Sequence, residues 1–189
     1  MRVVRRGVAG VAVVALLLTG CSGGGDADDA RGEGEPASAK GGESDAGVES
    51  FDASKAIVQQ TVAVPESPGD EVTLGVLSLE VKDRVMLLRL AITPMFASKS
   101  KDDVISQFSS TDQTTFGPTL VDVENLKEYS VIKADGPGDW SSSDLNNKAR
   151  NGTAMLAYAY FAAPEDDIQE IDFRVTDFWP AFTDVPITR

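Results

Sequence analysis

The runs EVTLGVLSLEV at Glu71–Val81 and RVMLLRLAIT at Arg84–Thr93, joined by Lys82-Asp83, decide the fold. Both runs are rich in aliphatic and β-branched residues, and the polar pair between them is typical of a tight antiparallel hairpin. In the first run the apolar positions are 72, 74 and 76, and then 77, 79 and 81. This change of parity just after Gly75 predicts a bulge or a bend.

Five further segments have the length and composition of strands. They are Thr115–Val123, Tyr129–Ala134, Thr153–Ala162, Ile168–Val175 and Phe182–Ile187. Residues 51–189 contain no long amphipathic helical pattern, so they predict one all-β domain, an antiparallel β-sandwich of about seven strands. Two stretches do not fit. Ser98–Ser110 is compatible with one or two helical turns capped by Asp102 or Asp103, and Asp135–Arg150 is a long polar loop.

The N-terminus has the features of an export signal. Three arginines within residues 1–6 precede an uncharged apolar run over residues 7–18, which is too short for a comfortable membrane span. The run closes with Leu18-Thr19-Gly20-Cys21, which resembles the lipobox of bacterial lipoproteins. This resemblance implies that residues 1–20 are a signal peptide cleaved between Gly20 and Cys21, and that Cys21 carries the lipid. It also implies attachment to the extracytoplasmic face of the cell membrane.

The segment after the lipobox is acidic and rich in glycine. Residues 22–50 hold eight Gly, eight Asp or Glu and only two basic residues. They have too few apolar side chains to offset the entropy of ordering. Residues 21–50 therefore predict a lipidated cysteine followed by a disordered tether, with an end-to-end distance of roughly 30 Å.

Composition excludes several function classes. The chain has 17 Lys and Arg, 30 Asp and Glu, no His and one Cys, for a net charge of −13. Without histidine there is no imidazole base or His-based metal site. One cysteine permits neither an internal disulfide nor a cysteine-only zinc site. The acidic balance predicts no nucleic-acid partner and disfavours wall polymers rich in phosphate.

The spread of β segments carries a second resemblance. With PTLVDVENLKEYSV mid-chain and YFAAPEDDIQEIDFRV near the end, it resembles an immunoglobulin-like domain of uncharacterised Gram-positive lipoproteins. GVLSLEVKDRVMLLRLAITP and FTDVPI are similar to the region that precedes an OmpA-like module in some actinobacterial lipoproteins. The resemblance spans about residues 60–189 and implies an envelope protein, but no catalytic motif.

Three strings contain residues that carry chemistry in other proteins. Ser98-Lys99-Ser100-Lys101 matches the Ser-x-x-Lys pattern of penicillin-binding enzymes, without the other two motifs of that site. Glu165-Asp166-Asp167 offers adjacent carboxylates, but neighbours on a turn point apart. The same acids with Asp135 and Asp139 are candidate oxygen ligands for calcium. We therefore predict no catalytic residue, no metal site and no cofactor, with calcium as the one candidate ion.

Loop aromatics are the remaining candidates for binding. Trp140, with Asp135 and Asp139 beside it, lies in the long polar loop, and aromatic side chains on loops often anchor partners. Trp179 and Phe178 are weaker candidates, because plugging the open end of a sandwich is a commoner role for such residues. Asn151-Gly152-Thr153 matches a glycosylation acceptor, although a turn into the next strand explains it better.

Taken together, these features predict a membrane-anchored extracytoplasmic lipoprotein that is a non-catalytic binding or adhesion module. Its expected partners are the membrane, through the lipid on Cys21, and an unidentified envelope protein or glycan. Two alternatives stay open. A hydrolase of the envelope would show a Ser–Lys or acid pair in a pocket, and an accessory subunit of a membrane complex would expose an apolar sheet edge.

Overall fold

A computed structural model describes residues 50–136 and 138–189. The described residues form ten strands, one 3₁₀ turn and one short α-helix. The strands are β1 (Val58–Ala63), β2 (Asp70–Lys82), β3 (Val85–Phe96), β4 (Val104–Ser106), β5 (Thr119–Asp122), β6 (Lys127–Ser130), β7 (Lys148–Arg150), β8 (Met155–Ala162), β9 (Glu170–Arg174) and β10 (Phe182–Pro186). The 3₁₀ turn is Ala53–Lys55, and the helix α1 is Gln107–Ser110.

The strands pair into two four-stranded sheets and one two-stranded sheet. The first sheet has the order β1-β2-β3-β8, the second has the order β10-β9-β5-β6, and β4 pairs with β7. All of these pairings are antiparallel. The prediction of an all-β antiparallel sandwich is confirmed. Its second and third strands are neighbours in one sheet, whereas an immunoglobulin constant domain places them in opposite sheets.

The hairpin β2–β3 has the features that its sequence predicts. Lys82 pairs with Val85, and Asp83 in the turn between them has a φ of 55°. The register shifts between Val76 and Ser78, which confirms the bulge after Gly75. Gly75 also allows a close approach, since a Cβ there would lie 2.8 Å from the Cβ of Ala56. Glycine is therefore required where the chain crosses the outer face of the first sheet.

One core lies between the two large sheets. The first sheet contributes Leu88 and Phe161, and the second contributes Leu120 and Phe173, all fully buried. In β8 the inward residues alternate with outward ones, and Tyr158 points outward. The core therefore fixes which side chains of β8 remain on the surface.

Several predicted boundaries were wrong. The described residues hold ten strands rather than about seven, because β1, β4 and β7 were not predicted. Within Ser98–Ser110, the chain first forms β4, and the single helical turn is capped by Ser106 rather than by Asp102 or Asp103. The stretch Asp135–Arg150 is not one continuous loop, because it contains β7 and two isolated β-bridges.

Candidate functional site

Three aromatic side chains form a cluster on the outer side of β8. They are Trp140, Tyr158 and Tyr160, which we call the aromatic cluster. The ring centres of Trp140 and Tyr160 are 6.1 Å apart with an interplanar angle of 88°, and those of Tyr158 and Tyr160 are 6.1 Å apart at 74°. Trp140 is 50% exposed and Tyr158 is 41% exposed. Large aromatic surface that stays in contact with water is the feature most typical of a binding anchor.

Backbone hydrogen bonds fix the position of Trp140. Its N–H donates to the carbonyl of Ile132 at 2.8 Å, and its carbonyl accepts from the N–H of Tyr160 at 2.8 Å. The N–H of Ile132 in turn donates to the carbonyl of Tyr160 at 2.9 Å. The Ser142 N–H continues this pattern by donating to the carbonyl of Tyr158 at 2.9 Å. Residues 140–142 thus cover the edge of β8 and fix the backbone that carries the indole, whose ring packs edge-on against Tyr160.

A buried glutamine supports the same segment from below. Gln107 is completely buried, and its Oε1 accepts from the Ser142 hydroxyl at 2.8 Å and from the Asn147 amide at 2.7 Å. Its Nε2 donates to Asp144 at 3.2 Å. Asp144 also accepts from the N–H of Phe116 at 3.0 Å. This polar network ties the segment that carries Trp140 to helix α1.

The acidic candidates in this loop are not arranged for a cation. Asp139 accepts a hydrogen bond from Lys133 Nζ at 2.8 Å, which neutralises its charge locally. Asp135 is exposed at the loop tip, beside Gly136 with a φ of 140°. Asp166 forms an ion pair with Lys127. No three carboxylates among residues 50–136 and 138–189 come close enough together to hold a metal ion, so these residues do not fit the calcium site considered from the sequence.

The Ser-x-x-Lys string does not have the geometry of its enzymatic counterpart. Ser98 lies in the turn after β3 rather than at the start of a helix. Its hydroxyl and its N–H both donate to the buried carboxylate of Asp70, at 2.8 and 3.0 Å. Ser98 therefore stabilises the start of β2, and its hydroxyl bonds a carboxylate rather than a lysine.

The adjacent acids after Pro164 do not act as a carboxylate pair, because they bond different partners. Asp166 pairs with Lys127 on β6, while Asp167 accepts from the Gln169 amide at 3.1 Å. The ion pair raises the pKa of Lys127 above its usual value, chiefly through the hydrogen bond to Asp166. Nearby, burial raises the pKa of Tyr129, whose hydroxyl has no hydrogen-bond partner among the described residues.

Two of the other sequence candidates, Trp179 and Asn151, have structural roles. Trp179 is 6% exposed and donates its indole N–H to the carbonyl of Ala63 at 3.0 Å, while Phe178 is 44% exposed. The Asn151 side chain accepts from the N–H of Phe96 at 2.8 Å and donates to its carbonyl at 2.9 Å. An amide used in this way fastens a turn, which agrees with the interpretation of Asn151-Gly152-Thr153 as a turn.

Trp140 was among the candidates that the sequence offered for binding, whereas Tyr158 and Tyr160 were not. Both lie in TAMLAYAYFA (Thr153–Ala162), which has the composition of a buried strand. The signal was available in the alternation of that strand, since Tyr158 and Tyr160 share one parity and Ala157, Ala159 and Phe161 share the other. Because Ala157, Ala159 and Phe161 face the core, the alternation of the strand puts both tyrosines on its outer side.

The lipobox Leu18-Thr19-Gly20-Cys21, the signal peptide and residues 21–49 of the predicted tether lie outside the described residues. Among residues 50–136 and 138–189, no helix has both the length and the apolar character needed to cross a membrane. Comparison with family models, with curated proteins and with solved structures found no match for this chain.

Proposed function

We propose that this chain is a bacterial lipoprotein held at the extracytoplasmic face of the cell membrane by lipid on Cys21. The support is the order of its N-terminal features: three arginines, an uncharged run, and Leu18-Thr19-Gly20-Cys21 with the only cysteine of the chain. The resemblance of residues 60–189 to an immunoglobulin-like region of actinobacterial lipoproteins points to the same compartment. Two or more acyl chains would hold the protein firmly, since one chain binds only marginally.

The β domain is a non-catalytic binding module that engages an envelope protein or glycan through the aromatic cluster. The observation that carries this assignment is Trp140, which is half exposed and yet held by backbone hydrogen bonds on both sides. An aromatic side chain on a fixed backbone loses little conformational entropy on binding and buries a large area. The candidates for chemistry support the same assignment, because Ser98 and Asp166 are engaged by Asp70 and Lys127.

The anchor is tested by replacing the lipidated thiol. Cys21→Ser should abolish labelling with a fatty-acid analogue and leave the precursor unprocessed, while the neighbouring Ser22→Ala should label and mature normally. Protease added to intact protoplasts should digest the wild-type domain, since the proposed site is outside the membrane. Normal lipid labelling of Cys21→Ser would refute the lipoprotein assignment.

The binding site is tested with probes for both partner classes. Purified peptidoglycan sacculi report a glycan, and a photo-crosslinking residue at the exposed position of Leu145 reports a protein partner in cells. Trp140→Ala and Tyr158→Ala should weaken whichever signal wild type gives. Phe178→Ala is the matched control, because Phe178 is similarly exposed but lies outside the aromatic cluster. Equal signals for all three variants would remove the cluster from the site.

A separate experiment tests the proposal that the domain has no catalytic activity. The purified chain should give no turnover in a screen of esterase, peptidase and glycosidase substrates. Turnover that is lost on Ser98→Ala would make the protein an envelope hydrolase.

A further inference from the structure

A groove between the end of β3 and the end of β7 collects positive charge on an otherwise acidic domain. Its volume is about 720 Å³. Three exposed cations, Lys99, Lys101 and Arg150, line it, and its apolar side is formed by Met95, Phe96 and Ala97. We call this feature the basic groove. It shares no residue with the aromatic cluster.

The backbone around the basic groove is fastened on both sides. Lys99 and Lys101 lie in the turn that follows Phe96, and Arg150 pairs with Val104 across β4 and β7. The Asn151 side chain joins the two parts, since it bonds both backbone groups of Phe96 and donates to the carbonyl of Lys99 at 3.2 Å. The N–H of Asn151 also donates to the carbonyl of Asp103 at 2.9 Å. The turn with two lysines is thereby held against the strand with the arginine.

The charge in this region is opposite to that of the rest of the domain. Residues 99–103 and 148–150 contain four cations and two acids, whereas the remainder of residues 51–189 contains eight cations and twenty acids. Two local acids oppose this charge, and one of them, Asp102, also lines the groove. Asp103 accepts from the N–H of Ser100 at 2.8 Å, and Asp102 is 94% exposed and 3.7 Å from Arg150. Lys148, on the same face of β7 as Arg150, adds to the positive charge.

We propose that the basic groove binds a linear phosphate-bearing polymer of the cell envelope. Guanidinium and ammonium groups are the usual ligands of phosphate, and arginine binds its oxygens in a fork. A groove can enclose a linear chain, whereas a flat membrane surface cannot enter it. The apolar side of the groove offers contact to the carbon atoms between phosphates. The envelope location rests on the proposed function, whereas the phosphate chemistry rests on the groove alone.

The net charge of the domain does not prevent this binding. The screening length is about 8 Å at physiological ionic strength. Acids on distant strands are therefore largely screened from a ligand in the groove, while the lining cations act at contact distance. The overall acidity would slow the approach of a polyanion, and the contacts between the lining cations and phosphates would make its binding strongly dependent on salt.

The test uses the purified full chain in a non-ionic detergent and a linear inorganic polyphosphate labelled at one end. Fluorescence anisotropy measures the affinity at several salt concentrations. The double variant Lys99→Gln/Lys101→Gln should bind about 25-fold more weakly, taking about fivefold for each cation near an anionic surface. The slope of log affinity against log salt should fall by about 1.4, if two phosphate contacts are lost as they would be from a single nucleic-acid strand.

Matched controls separate the groove from bulk charge. Lys55→Gln/Lys82→Gln removes the same charge from exposed positions outside the groove and should bind polyphosphate like wild type. Trp140→Ala should also bind it normally, so that failure of the aromatic site and failure of the groove are distinguishable. Circular dichroism and thermal unfolding verify that each variant is folded.

Four outcomes would overturn the proposal. They are no polyphosphate binding at low salt, equal loss in both double variants, equal affinity for poly-glutamate, and binding only to phosphatidylglycerol vesicles. The third would make the groove a general polyanion surface, and the fourth would make it a membrane contact. Binding to polyphosphate that free phosphate displaces and that the groove variant loses would support it.

Discussion

The substitution Gln107→Met tests whether the buried polar network holds the segment that presents Trp140. Methionine is unbranched and of similar length, so the change keeps the volume of the site while removing every hydrogen bond of the amide. The Ser142 hydroxyl then loses its acceptor, and Asn147 loses one of the two acceptors of its amide. Asp144 keeps its bond from the N–H of Phe116.

The expected cost follows from the groups left without partners. Each buried donor that loses its acceptor costs about 1–3 kcal/mol. Two such donors, partly offset by the burial of a more apolar side chain, give a loss of about 2–4 kcal/mol in the free energy of unfolding. With a urea m-value of about 1.5 kcal/mol/M, the midpoint of unfolding should fall by about 1–3 M.

Urea denaturation at 25 °C, followed by tryptophan fluorescence, measures this loss, and Gln59→Met on the exposed face of β1 is the control. Amide hydrogen exchange at Ser142 and Tyr160 gives a second readout, because each N–H bond joins the segment that Gln107 supports to β8. A loss below about 0.5 kcal/mol, or faster exchange in the control as well, would refute the role assigned to Gln107.

Three further predictions concern stability. Phe161→Ala removes a fully buried ring from the core and should cost about 3–5 kcal/mol, measured as a lower urea midpoint than that of the surface control Phe178→Ala. Asn151→Ala should accelerate amide exchange at Phe96, whose N–H loses its acceptor, while Asn151→Asp, which keeps that acceptor, should have a smaller effect. Burial acts to raise the pKa of Asp122, but hydrogen bonds from Asn125 and Glu124 outweigh it and hold the pKa below its usual value of 3.8. Its contribution to stability is therefore complete above that pH and is lost as the pH falls through the lower folded-state value, so Asp122→Asn should flatten the acid limb of a stability–pH profile.

The parts of the fold that the sequence predicts well are those where core burial decides the pattern. The β2–β3 hairpin and β8 read correctly because every second side chain faces the core, and even the bulge after Gly75 appears as a change of parity. The ends of β5 and β6 were less well placed. Lys127 and Glu128 begin β6 with two exposed charges, and Leu126 turns the chain with a φ of 54°, a conformation that leucine rarely adopts.

The missed strands are held by neighbours rather than by their own composition. β1 reads VQQTVA and lies at the edge of its sheet, where only Val62 is buried. β7 reads KAR and is ordered by pairing with β4 and by the turn that Asn151 fastens. Neither segment has enough apolar alternation to identify a strand, because its stability comes from tertiary contacts.

The candidate site shows a similar division. Trp140 is conspicuous in a polar loop and is 50% exposed, while its role in binding stays a prediction. Tyr158 and Tyr160 lie in an apolar run and were therefore not predicted. Gln107 is polar, and polar residues are usually exposed, so its burial is evident only from its hydrogen bonds with Ser142 and Asn147. A buried polar side chain can be predicted only if its hydrogen-bond partners are known, and those partners are distant in the sequence.

Charge is where whole-chain reasoning and local structure disagree most. A net charge of −13 argues against phosphate-bearing partners when the charge is treated as uniform. The fold instead brings Lys99 and Lys101 beside Arg150, about fifty residues away in sequence, and does so through backbone bonds to one asparagine side chain. Because screening confines each surface charge to a neighbourhood of about 8 Å, a ligand responds to that neighbourhood and not to the total. An acidic protein can therefore carry a cationic site, and Asn151 is the residue whose removal would disperse it.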